Sequence, residues 1–145
     1  MNYHVNEGSF SIPDSTEDRS VNMLVLNHGP GGLTLVVTRD MVPEGEQLDA
    51  FLERQLRTLA TQVKNFRQQA MVPVNVGAAQ LPGVQIATSF KQNNASMYQL
   101  QTAIALGAGA VLVLTLSCSS PLTAEQAAYA QQLLDSFVPA AASAT

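Results

Sequence analysis

At 145 residues the chain is long enough to bury about two thirds of its unfolded surface around one core, so neither a disulfide nor a metal is needed to stabilise it. Only 12% of the residues are charged while 46% are apolar, and Gln, Asn, Ser and Thr take the place of the missing charges. A net charge of -4, seven singly scattered Lys and Arg, and no Trp leave neither a basic stripe for phosphates nor a platform for bases, which argues against nucleic-acid binding.

The start MNYHVNEGSFSIPD has no basic segment followed by an apolar run, and no stretch reaches the roughly 18 consecutive apolar residues of a membrane span. A cytoplasmic protein without direct membrane insertion is expected. Tyr3 and Val5, then Phe10 and Ile12, form two short alternating pieces parted by Glu7-Gly8, which predict edge strands ahead of Pro13 and an acidic loop of Asp14, Glu17 and Asp18.

Residues Arg19 to Asp40 predict a hairpin around His28-Gly29-Pro30-Gly31-Gly32. Because successive side chains of a strand alternate, Ser20, Asn22, Leu24 and Leu26 oppose Val21, Met23, Val25 and Asn27. In the second strand Leu33, Leu35 and Val37 oppose Thr34, Val36 and Thr38. Both faces are largely apolar, although a small protein needs only one buried side. Either helices cover both sides of the sheet or one face is a binding surface that mixes aliphatic bulk with hydroxyls.

After Pro43, which suits a first helical turn, Leu48, Leu52, Leu56, Leu59, Val63 and Phe66 recur every three or four residues and predict one amphipathic helix from about Glu44 to Gln69. Glu44, Glu46, Asp49 and Glu53 then suit its positive end and need no acid-base role. Four strands are expected next: Val72 to Val76, Val84 to Phe90, Ala95 to Leu106 and Ala110 to Ser117. Pro121 and Thr123 start a second helix, Thr123 to Phe137. Residues 1–138 thus read as a single α+β domain, an antiparallel meander with helices on the sheet, followed by a flexible tail over 139–145.

Catalytic chemistry is hard to find. His4 and His28 have no metal-ligand spacing with Cys118, whose solitude excludes an internal disulfide and suits a reducing compartment. Gly29-Pro30-Gly31-Gly32 joins two strands and lacks a following Lys-Ser or Lys-Thr, so it reads as a turn and not a phosphate cradle. Ser117-Cys118-Ser119-Ser120 has no nucleophile-elbow pattern and reads as a strand end. No catalytic residue, cofactor or metal is assigned, and Asn94-Ala95-Ser96 reads as a turn. One constellation remains. Gln55, Leu59, Gln62, Val63 and Phe66 stand on one side of the long helix, and Met97, Gln99 and Gln101 share one strand face opposite Tyr98, Leu100 and Thr102. These elements could pool uncharged hydrogen-bonding groups around an apolar trough, or simply face solvent.

The segments NYHVNEGSFSIPDSTEDRSVNMLVL, LTLVVTRD, LDAFLERQL and AVLVLTLS resemble the DcrB-related family, and within it the chain is most similar to the Eag chaperones of type VI secretion effectors. That resemblance implies a Mog1/PsbP-like sandwich that forms a homodimer, performs no reaction, and shields the N-terminal transmembrane helices of a toxic effector before export. By motif position it implies an apolar lining of Val21, Met23, Val36, Leu59 and Val63, with polar contacts from Thr34, Thr38, Gln55 and Gln101 and a further place for Met97. The alternative is a regulatory protein-binding module of the Mog1-like type.

Overall fold

Strand register decides which side chains of this protein meet which helix. The computed structural model describes residues 1–140, in which the chain runs β1 (Asn2–Val5), β2 (Gly8–Ser11), β3 (Asn22–Val25), β4 (Thr34–Met41), α1 (Leu48–Ala60), β5 (Lys64–Gln68), β6 (Val72–Val76), β7 (Leu81–Gln92), β8 (Ala95–Gly107), β9 (Ala110–Cys118) and α2 (Ala124–Asp135). The main sheet has seven strands in the order β3-β4-β9-β8-β7-β5, with β6 also on β7, and every pairing is antiparallel. The architecture is α+β, as the alternating pattern of the sequence predicts.

The two helices cover opposite faces. Leu33, Leu35, Ile104, Leu114, Leu116 and Cys118 are buried with Ala130 and Leu134 of α2. On the other side, Ile86, Ala103, Val111 and Val113 are buried with Phe51, Leu52 and Leu56 of α1. This arrangement explains why β9 reads as the near-continuous apolar run VLVLTL: a strand covered on both faces has no solvent side to make polar. Helix cover is therefore part of the answer to the surplus apolarity of the hairpin.

Three expectations are corrected. The first helix does not extend from Glu44 to Gln69; it occupies Leu48–Ala60, and Phe66 lies on a fifth post-helix strand, β5. Before it, the Glu46 amide donates to Pro43 at 3.0 Å in a turn, so Pro43 is outside the helix and of the four acids only Asp49 lies in the first turn. At the far end the Thr61 hydroxyl donates to the Thr58 carbonyl at 2.6 Å, and Asn65 takes a positive φ of 56°, which redirects the chain into β5. The helical spacing nevertheless continues because Leu59 and Phe66 reach the same core from different elements.

The third correction concerns β1 and β2, which form a separate two-stranded sheet and not edges of the main one. A hydrogen bond of 2.7 Å between the hydroxyls of Tyr3 and Ser20 links this hairpin to the segment entering β3.

α2 starts with a capping box in which the Thr123 hydroxyl accepts from the Gln126 amide at 3.1 Å and the Gln126 side chain accepts from the Thr123 amide at 3.0 Å. The helix covers most of the expected Thr123–Phe137 span. Of the tail expected over 139–145, residues 141–145 lie outside the described residues.

Candidate functional site

α1 covers only part of its side of the sheet. Cross-strand pairing places Met23 opposite Val36, Val36 opposite Thr115, Thr115 opposite Gln101, and Gln101 opposite Ile86. The next row along the same face runs Val25, Thr34, Ser117, Gln99 and Thr88. Because Val113 and Ile86 of this face are buried under α1, alternation assigns both rows to the α1 side. Away from the helix, Val36, Thr34, Thr38, Gln99, Gln101, Thr115 and Ser117 are only half-buried, and on the edge strand Met23 and Val25 are 70% and 63% exposed.

The surface is an open shelf bordered by α1, not an enclosed trough. Its two long amides are held in place: Gln101 Nε2 donates to Gln99 Oε1 at 3.2 Å, and Gln99 Nε2 donates to Ser117 Oγ at 3.1 Å. Gln101 therefore keeps its carbonyl oxygen, and Ser117 its hydroxyl proton, for another partner. Thr34 Oγ1 donates to the Gly32 carbonyl at 3.3 Å. Thr88 Oγ1, buried beside Gln99 in the register, has no hydrogen-bond partner. No formal charge stands in these two rows.

Of the residues singled out in the sequence, Met23, Thr34, Val36, Thr38, Met97 and Gln101 share this side of the sheet, and exposed Val21 leads into it. The register irregularity of the β8–β9 hairpin falls between Ala105 and Gly107, beyond Gln101, and leaves Met97 and Gln101 in phase. Gln55 sits at the shelf's border with α1, where its amide donates to Asp40 Oδ2 at 3.0 Å. Leu59 is half-buried and packs against the α1-side core, so its side chain supports the shelf more than it lines it. Val63 is set apart, in the turn between α1 and β5 beside Lys64 and Asn93.

Val25, Thr115 and Ser117 belong to the shelf and are absent from the sequence-derived set. Strand alternation carried the signal: Thr115 and Ser117 are the hydroxyl positions of the otherwise aliphatic AVLVLTLS segment, in phase with Val113.

The other candidate groups have structural partners. Cys118 is buried and its thiol donates to the Pro30 carbonyl at 3.1 Å, while Ser119 Oγ donates to Gly31 at 3.1 Å. His28 stacks on Tyr129 with ring centroids 4.2 Å apart. Among the described residues no group of three or more His, Cys, Asp or Glu is arranged to hold a metal, and no helix is long and apolar enough to cross a membrane.

No curated protein matches the chain. Among solved structures, the crystal structure of PA94 from Pseudomonas aeruginosa, a protein of unknown function described as a candidate regulator, aligns over 98% of both chains with a TM-score of 0.71 at 21% identity, and so shares the fold. The family model for DcrB spans residues 7–136, nearly the whole domain, and the chain accordingly belongs to the DcrB family.

Proposed function

We propose that this protein is a non-enzymatic chaperone or adaptor whose α1-side shelf receives an apolar helix of a partner protein. In its specific form, drawn from the resemblance to Eag chaperones, the client is the pair of N-terminal transmembrane helices of a type VI secretion effector, held by a cytoplasmic homodimer of Mog1/PsbP-like sandwiches before export. The observation that carries the reading is the exposure of Met23 and Val25, 70% and 63%, on a strand continuous with the uncharged Thr, Ser and Gln rows.

A transmembrane helix of about 20 apolar residues exposes side chains worth roughly 1.5 to 3 kcal/mol each when buried, and in water it aggregates or inserts into the nearest bilayer. Val21, Met23, Val25 and Val36 offer apolar contact to such a helix. Gln101, Thr115 and Ser117 offer the polar contacts by which membrane helices recognise one another. The lack of charge in the rows matters because an unpaired charge buried beneath an apolar helix would penalise the complex. Contacts of mixed polarity also keep the client releasable.

The direct test is co-expression with a protein carrying two N-terminal apolar segments. Copurification should disappear when those segments are deleted; undiminished copurification rules the reading out. The alternative, a regulatory protein-binding module, draws on the description of PA94 as a candidate regulator. Binding to a purified small GTPase, the partner class that the Mog1-like resemblance implies, that survives Met23→Asp and Val36→Asp unchanged would favour it.

A further inference from the structure

Three of the chain's seven cationic side chains, Lys64, Arg67 and Lys91, gather where β5 meets β7. Lys64 and Lys91 are register partners, and Arg67 is paired with Ser89. Like charges directly opposite each other on neighbouring strands disfavour the pairing, and an anion between these exposed side chains would relieve that cost. The three ion pairs among the described residues involve Asp14, Glu17 and Glu46, none of them with these cations.

Two open clefts meet at this end of the sheet. One, of about 330 Å³, is lined by Asn65, Arg67, Ser89, Lys91, Ser96 and Tyr98. The other, of about 490 Å³, shares Arg67, Ser89 and Tyr98 and continues over Ala87 to Leu122. Tyr98 is in phase with Leu100 of the α2-side core, so the smaller cleft opens on the face opposite the shelf, while the larger one also reaches Thr88 and Gln99 at the end of a shelf row. Among the described residues, Arg67, Lys91, Ser89, Ser96 and Tyr98 make no side-chain hydrogen bond, whereas the strand amides Gln85, Gln99 and Gln101 do. A guard on the open edge strand accounts for Lys64 and the bulge beside it. It does not account for Lys91 and Arg67 lining a cleft with three unengaged hydroxyls.

We propose that this cleft is a second binding site, separate from the exposed β3–β4 part of the shelf, for an acidic polypeptide segment of a partner: a Glu or Asp side chain at Arg67 and Lys91, with a neighbouring apolar side chain over Ala87 and Leu122. Charge complementarity selects the acidic group, since Arg67 can grip a carboxylate in a bidentate fork while Lys91 adds a point charge. The apolar continuation selects a segment with a hydrophobic residue beside the acid over a bare anion. The openness of the clefts suits a chain passing across the surface, whereas small-molecule sites enclose most of their ligand.

The test is fluorescence anisotropy of the full chain with a labelled ten-residue Glu/Leu peptide and its Gln/Leu counterpart at low salt. The Glu/Leu peptide should bind saturably and at least about tenfold more tightly than the Gln/Leu peptide, and Arg67→Gln with Lys91→Gln should remove that preference. The doubly reversed variant, Arg67→Glu with Lys91→Glu, should prefer a Lys/Leu peptide instead, which distinguishes a lost contact from a lost fold. Met23→Asp should leave binding unchanged, so that failure of this site and failure of the shelf are separable. Equal affinity for the two peptides, no binding, indifference to the Arg67 and Lys91 variants, or displacement by millimolar inorganic phosphate as readily as by unlabelled peptide would each overturn the assignment.

Discussion

Gln126 and Pro30, 96 positions apart, are joined by a hydrogen bond of 2.9 Å from the Gln126 Nε2 to the Pro30 carbonyl, and the same nitrogen donates to the His28 carbonyl at 2.8 Å. The wholly buried amide thus closes the capping box of α2 with its oxygen and ties down the β3–β4 loop with its nitrogen. Gly29 is required for that approach: it has φ +76°, and a Cβ there would lie 2.7 Å from Gln126 Nε2. Gln126→Ala should cost about 2–4 kcal/mol in chemical denaturation, since it removes half of the capping box, leaves the His28 carbonyl without its donor and leaves the Pro30 carbonyl only the Cys118 thiol. Gln126→Glu should cost at least as much, because a carboxylate cannot donate to those oxygens. A loss below about 1 kcal/mol for both would show that the loop is held by other contacts.

Leu59 and Met23 behave differently under the same change. Leu59 is half-buried against the core beneath α1, whereas Met23 is 70% exposed on the edge strand. Leu59→Asp should lower stability by about 2–4 kcal/mol and abolish client binding only through unfolding. Met23→Asp should leave the melting transition nearly in place, within about 0.5 kcal/mol, yet weaken a bound apolar helix at least tenfold by burying an unpaired carboxylate. Unchanged affinity for Met23→Asp, measured with the copurified client, would remove β3 from the shelf.

Alternation made the shelf partly legible in the sequence. The opposition of Val21, Met23 and Val25 to Asn22, Leu24 and Leu26 depends only on the period of a strand, and the register preserves it across four strands. The helix boundary was not legible, because Leu59 and Phe66 serve one core from a helix and a strand and so imitate an unbroken helical stripe. Nor could alternation reveal how far α1 covers its side of the sheet. That depends on where a helix of 13 residues ends over a sheet whose strands reach 13 residues. The division between core and shelf is a matter of relative length, which no local pattern records.

Thr88 gives a prediction of opposite sign. Its hydroxyl is buried without a partner, although its row neighbour Gln99 is engaged with Ser117. Thr88→Val keeps the branched shape that suits a strand and removes the desolvated hydroxyl, so it should be neutral or stabilise the fold by about 1 kcal/mol in denaturant titration. A marked destabilisation would mean that the hydroxyl has a partner in solution, such as an ordered water.

Asp18 gives the entry into β3 a dependence on acid. Its carboxylate accepts from the Ser20 hydroxyl and, at 2.9 Å, from the Ser20 amide; these bonds favour the charged form and hold its pKa below the usual carboxylate value of 3.8. A carboxylate whose folded pKa is depressed contributes its stabilisation above the unfolded pKa and loses it as pH falls through the folded value. The Ser20 clasp, and with it the Tyr3–Ser20 link to the β1–β2 hairpin, should therefore persist at neutral pH and loosen on acidification below about pH 4. The protection of the Ser20 amide, its exchange measured by NMR relative to the intrinsic rate at each pH, should fall in that range. In Asp18→Asn, whose side chain cannot titrate, that fall in protection should disappear. Protection at Ser20 that falls equally in both proteins would mean that another acid governs this junction.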